Sequence, residues 1–137
     1  VFCGCINLEK LNFPETLTNR GSSFYGTNIN ILDFSKCHFN NSRGRVKFSF
    51  GNENMKELRL PQGVETVSVF GRGKLYVPSD VKVIREWHGE KCKEFHFESP
   101  TPPEMEYKPK NCTIYIPKGS TTAYFAKFGE TNKYIEE

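Results

Sequence analysis

A short pattern recurs six times along the chain, and it constrains the fold more than anything else in the sequence. The segments are Leu8–Pro14 (LEKLNFP), Ile29–Ser35 (INILDFS), Met55–Pro61 (MKELRLP), Lys74–Pro78 (KLYVP), Cys92–Glu98 (CKEFHFE) and Thr113–Pro117 (TIYIP). Each centres on apolar-x-apolar, and four place Pro directly after it. The first apolar residues are Leu11, Leu32, Leu58, Leu75, Phe95 and Ile114, spaced by 21, 26, 17, 20 and 19 residues. Apolar-x-apolar describes a strand that buries one face. Pro after it cannot extend a hydrogen-bonded ladder, so the chain turns there. A unit of about twenty residues is one coil of a leucine-rich-repeat solenoid. Such a coil cannot bury its apolar face alone and needs neighbours on both sides. An ordinary antiparallel β-domain with frequent turns is the competing reading; the phase kept through six segments favours the solenoid.

The expected fold is therefore a leucine-rich-repeat-like, right-handed solenoid. It is mainly β, with short stacked parallel strands, short helical turns and a C-terminal helical cap. Residues 1–117 make about six irregular repeats, and residues 118–137 a cap belonging to the same domain. In the cap, Ser120 or Thr121 starts a helix through Phe128, and Gly129 ends it. Between the repeats, Pro14–Gly26 reads as a loop with a helical turn, and Val81–Trp87 alternates before placing Ile84 and Trp87 three apart. Alternation at Val46, Phe48 and Phe50, and at Val67 and Val69, points to additional strands.

Of the 137 residues, 36% are apolar and 14% aromatic, enough to build a core and too many for a disordered chain. No apolar run reaches the length of a membrane-spanning helix, and no N-terminal signal segment is visible. The chain starts at Val1 without Met, which fits an excised fragment whose earlier repeats and targeting segment lie elsewhere. The net charge is +3. The first 68 residues carry 8 basic and 6 acidic side chains and the rest 11 and 10, so no basic block recommends nucleic acid as a partner.

The five cysteines, Cys3, Cys5, Cys37, Cys92 and Cys112, are odd in number and contain no C-x-x-C pair, against a full disulfide framework. Cys37-His38 with Cys3 and Cys5 fits no structural zinc spacing, and no metal or cofactor is expected. Gly71-Arg-Gly-Lys74 lacks the rest of a phosphate-binding loop and reads as a turn entering a strand. Arg43–Phe50 shares only its initial Arg-Gly and its last Phe with an RNA-binding strand motif. His38, His88 and His96 sit in no nucleophile motif, so no catalytic residue is assigned. Asn40-Asn-Ser42 and Asn111-Cys-Thr113 have the form of glycosylation acceptors.

Phe2-Cys-Gly4-Cys5-Ile-Asn7-Leu8-Glu-Lys-Leu11-Asn-Phe13-Pro14, continued by Leu17, Gly21 and Phe24, resembles the BspA-like leucine-rich repeats of bacterial and protist surface proteins. Arg20, Ser23 and Thr27 depart from that pattern, at positions where Ile, Ala and Cys are usual. Pro78-Ser-Asp-Val81-Lys-Val-Ile84 is again similar. Ser99–Pro103, then Thr113–Ser120 and Ala123-Tyr124, is similar to the terminal module of such proteins. The resemblance covers nearly the whole chain and is weakest over residues 36–70. It implies a solenoid fold, export to the cell surface, often as a lipoprotein, adhesion-type binding of an extracellular protein or glycan, and no catalytic residues. It also implies that Cys5, Cys92 and Cys112 occupy small buried positions before a strand.

In stacked coils the residue between the two apolar positions faces outward. One row then reads Asn12, Asp33, Arg59, Tyr76, His96 and Tyr115, with neighbours about 4.8 Å apart. A second reads Lys10, Ile31, Glu57, Lys74, Glu94 and Thr113, where Glu57, Lys74 and Glu94 alternate in sign. Arg59, Tyr76, His96 and Tyr115 are the candidate ligand-binding face, because exposed tyrosines offer large contact area with a polar tip. Simple cross-strand pairing, in a module that only spaces or caps a larger surface protein, is the alternative.

Overall fold

The computed structural model describes residues 4, 5, 7, 8, 11, 27–38, 48–51, 55–70, 73–85 and 92–137. Its strands in chain order are β1 (Ile31–Asp33), β2 (Phe48–Gly51), β3 (Glu57–Arg59), β4 (Thr66–Phe70), β5 (Gly73–Val77), β6 (Val83–Arg85), β7 (Cys92–Phe97), β8 (Glu104–Met105) and β9 (Thr113–Ile116). Helix α1 (Thr121–Phe128) and strand β10 (Lys133–Glu136) complete the chain. From β1 to β9 successive strands alternate between two sheets, a six-stranded one ordered β1-β3-β5-β7-β9-β10 and a four-stranded one ordered β2-β4-β6-β8. All pairings are parallel. The described residues form a β-solenoid in which each turn from β1 to β9 lays one strand on each sheet, while the turn from β9 to β10 contains α1 instead.

The register of the first sheet is the one the repeat spacing demands. Leu32, Leu58, Leu75, Phe95, Ile114 and Tyr134 stand side by side. All but Tyr134 are almost fully buried. Phe34, Leu60, Val77, Phe97 and Ile116 form the next inward column and are also buried. From the second sheet come Val67, Val69 and Ile84. Each coil thus supplies only a few inward side chains, each contributing roughly 1.5–3 kcal/mol of burial. A lean apolar content suits that geometry.

The segment 81–87, which alternates at first in sequence, forms β6, with Ile84 at its centre paired with Val67 and Met105 on its neighbours; Trp87 lies outside the described residues. The only helix among the described residues is α1. The expected turn at 14–26 and the strand at 8–13 fall largely outside the described residues; Leu8 and Leu11 pack against the core. Cys92 and Cys112 are buried as expected, but Cys5 is exposed.

Glycine is required at the start of β5. Gly73 has φ +101°, and a Cβ there would lie 2.1 Å from the carbonyl oxygen of Lys56 in the coil before. The same oxygen accepts the Lys74 N–H at 2.8 Å. A buried column of polar interactions continues from this point. The Cys92 thiol donates to the Gly73 carbonyl at 2.9 Å. The Cys112 thiol donates to the Cys92 carbonyl at 3.1 Å. Asn132 ends the column, accepting the Cys112 N–H at 3.2 Å and donating to the carbonyl of Pro109 at 2.9 Å. Burial pushes the Cys92 thiol up to about 12 and raises that of Cys112 as well.

The last coil is closed by α1. Tyr124 and Phe128 are buried against Phe97, with ring centroids 5.3 and 6.0 Å away. The Tyr124 hydroxyl donates to the Ser99 carbonyl at 2.7 Å. Ser120 occupies the N-cap position, but its buried hydroxyl makes no hydrogen bond. The helix start is instead met from β10, where Glu136 accepts from the Thr121 N–H at 3.2 Å and the Thr121 hydroxyl at 2.7 Å. Gly129 ends the helix as expected, its N–H bonding the Phe125 carbonyl at 2.8 Å. Glu136 stands where earlier coils place Ile116 or Phe97. Unlike them it is exposed, and its carboxylate meets the start of the helix.

Candidate functional site

The outward face of the six-stranded sheet carries both rows expected from the spacing. Asp33, Arg59, Tyr76, His96 and Tyr115 are register neighbours, and Ile135 extends the row onto β10. Ile31, Glu57, Lys74, Glu94, Thr113 and Lys133 form the second. Asn12 and Lys10 lie outside the described residues.

The planar groups of the first row are stacked. Tyr76 and His96 have ring centroids 4.2 Å apart and planes within 14°. His96 and Tyr115 are also 4.2 Å apart, within 3°. On the far side of Tyr76, the Arg59 guanidinium carbon lies 3.9 Å from the ring centroid. Both faces of Tyr76 and both faces of His96 are therefore occupied by neighbours. What the row offers to solvent is ring edges and polar tips. Offset stacks of this kind contribute about 0.5–1.5 kcal/mol per pair, and the guanidinium contact a similar amount.

Charges hold the stack in place. Glu94 accepts from His96 Nε2 at 2.7 Å and pairs with Lys74 Nζ at 3.3 Å. Burial alone would raise the Glu94 carboxyl, but the hydrogen bonds from His96 and Lys74 outweigh it and hold the group below the usual carboxylate range. His96 Nδ1 faces Glu137 at 3.9 Å. Glu57 pairs with Arg59 of its own strand at 2.8 Å. At the far end Asp33 accepts from the Ser35 backbone and hydroxyl at 2.9 and 2.6 Å. Burial opposes ionisation there too, and the two Ser35 bonds, helped by Arg59, hold its carboxyl below the usual range.

Glu94 beside His96 has the look of the orienting half of a catalytic triad. In a triad, however, the second imidazole nitrogen faces a nucleophile. Here it faces a carboxylate, and both ring faces are covered by tyrosine. The arrangement stitches successive coils together.

The remaining sequence candidates are dispersed. Cys37 is buried in the core while Cys5 is exposed, and Cys3 lies outside the described residues. Among the described residues no group of three or more His, Cys, Asp or Glu side chains is placed to hold a metal ion. Gly73 and Lys74 open β5, the turn-into-strand role expected for the Gly71–Lys74 segment. No helix among the described residues is long and apolar enough to cross a membrane. Sequence reasoning missed Glu94 and Glu137 as the partners of His96, and Ile135 as the continuation of the row. The repeat spacing could have found Ile135, since Tyr134 follows Ile114 by 20 residues.

Comparison with protein-family models, with curated proteins and with solved structures gives no match for this chain.

Proposed function

We propose that the chain is a non-catalytic interaction module of leucine-rich-repeat type, similar to BspA-like surface repeats, exported to the cell surface, and that it binds an extracellular protein through the outward face carrying Arg59, Tyr76, His96 and Tyr115. The observation behind this reading is the continuous row of stacked side chains on a face with alternating charge beside it. A sugar ring docks by lying on a free aromatic face, and most faces here are already shared. Ring edges, phenol hydroxyls and flanking charges suit the mixed polar and apolar chemistry of a protein partner.

The test is retention of the chain on immobilised extracellular-matrix proteins and, in parallel, on a printed glycan array. Retention on a protein, lost in Tyr76→Ala/Tyr115→Ala while circular dichroism stays unchanged, is the expected result. Retention on glycans alone moves the ligand class to carbohydrate. No retention on either panel overturns the adhesion reading. It would favour a spacer or cap, a role consistent with rings that spend their faces on one another.

A further inference from the structure

Strand β10 ends the six-stranded sheet, and among the described residues no strand pairs with its outer edge. Lys133 and Glu137 donate their N–H groups inward, to the carbonyls of Cys112 and Ile116, both at 2.9 Å. By the alternation of a parallel ladder, the N–H and C=O groups of Tyr134 and Glu136 point outward from the edge. Such an edge is a template for another strand unless something covers it.

We infer that a second copy of this chain pairs with it, antiparallel, about a two-fold axis through Ile135. Only residues whose backbone groups point outward can exchange hydrogen bonds, so a two-fold axis must pass through Tyr134, Ile135 or Glu136. The axis through Glu136 sets that carboxylate against its own copy. The axis through Tyr134 sets Lys133 against Ile135 and leaves the lysine without a partner. The axis through Ile135 pairs Tyr134 with Glu136 of the second copy through the outward backbone groups. It also sets Lys133 opposite Glu137 of the other copy, twice, and Ile135 against itself on the same face. Charge complementarity thus selects one register of three. Lys133 is exposed, and Glu137, whose carboxylate lies 3.9 Å from His96 Nδ1, still has a side chain 61% exposed, so both can reach a partner. Phe125, 49% exposed on α1 and 6.1 Å from the Tyr134 ring, adds apolar surface beside the edge. The paired sheets form one continuous sheet with both stacked rows on the same outward face, which makes a binder bivalent.

The experiment is sedimentation equilibrium of the chain over a wide concentration series, with amide hydrogen exchange on the same samples. The chain is expected to reach twice its own mass as concentration rises, with the Tyr134 and Glu136 amides gaining protection in step. Lys133→Glu and Glu137→Lys each set like charges opposite one another at two places, raising the dimer dissociation constant about tenfold. The double variant Lys133→Glu/Glu137→Lys restores opposite charges and dimerisation. A chain that stays monomeric throughout overturns the inference. So does a dimer indifferent to the single reversals, or one that leaves the Tyr134 and Glu136 amides unprotected.

Discussion

Replacing Gly73 by Ala should destabilise the solenoid by more than its backbone angle alone explains. At φ +101° any L-residue is strained, at about 1–3 kcal/mol. The new Cβ would also sit 2.1 Å from the Lys56 carbonyl oxygen and 2.8 Å from its carbon. Those are backbone atoms of the preceding coil, so no side chain can swing away. The coils must separate, and the Lys74 N–H bond to that same oxygen breaks first, at a cost of about 1 kcal/mol. The Gly73 carbonyl, which accepts the Cys92 thiol, moves with it. Strain and the broken bond together come to about 2–4 kcal/mol. Gly119 provides the control. It has φ +79° in the turn closed by the Ser120 N–H to the Pro117 carbonyl, and a Cβ there meets nothing within 4 Å. Gly119→Ala should cost only the backbone strain, about 1–2 kcal/mol. Urea unfolding followed by far-ultraviolet circular dichroism measures both. If Gly73→Ala is no more destabilising than Gly119→Ala, the close approach of the two coils is not what demands glycine and the reasoning fails.

Tyr124→Phe removes the hydroxyl bonded to the buried Ser99 carbonyl and should cost about 1–2 kcal/mol by calorimetry; an unchanged melting temperature would contradict that bond. Glu94 and Glu136 both have carboxyls held below their ordinary value of 4.5. Their stabilisation is complete above the unfolded-state value and is lost as pH falls through 4.5 and below. The urea midpoint should drop over that range, and Glu94→Gln and Glu136→Gln should each flatten the fall; equal slopes in the parent and both variants would count against it. With its thiol raised to about 12, Cys92 should resist alkylation in the folded chain at mildly alkaline pH. Cys112 should behave alike, whereas exposed Cys5 reacts at once, as peptide mass mapping with and without denaturant would show.

The sheet that carries the candidate face was legible because its signal is redundant. Each strand presents apolar-x-apolar, most are followed by Pro, and the interval stays close to 20 residues. Leu58, Leu75, Phe95 and Ile114 therefore fall into register by counting alone. The second sheet lacks that redundancy. Thr66–Phe70 alternates visibly, but Val83–Arg85 has three residues and Glu104–Met105 two, fewer than a period-two pattern needs. Those strands form because neighbouring coils offer them a ladder, a tertiary cause with no local signature. Glu136 at the helix start was hidden for a related reason. Fifteen residues separate it from Thr121, and Ser120 offered a conventional local cap that the structure leaves unused.

Counting repeats established adjacency in the candidate face but not availability. Four side chains placed about one strand spacing apart can splay, leaving aromatic faces open to a ligand, or close on one another. The choice lies in side-chain rotamers, which no spacing encodes. It is made by groups outside the row. Glu94 grips the His96 edge while Lys74 grips Glu94, and Arg59 lies over Tyr76 while tied to Glu57. With the imidazole held from its edge, its two faces receive tyrosines at 4.2 Å. The second row, which by sequence alone served only to pair charges between coils, thereby decides which ring surfaces the first leaves open. Loosening Glu94 would free the His96 ring and reopen the faces beside it, so the charge row sets the difference between rings with open faces and rings that present only their edges.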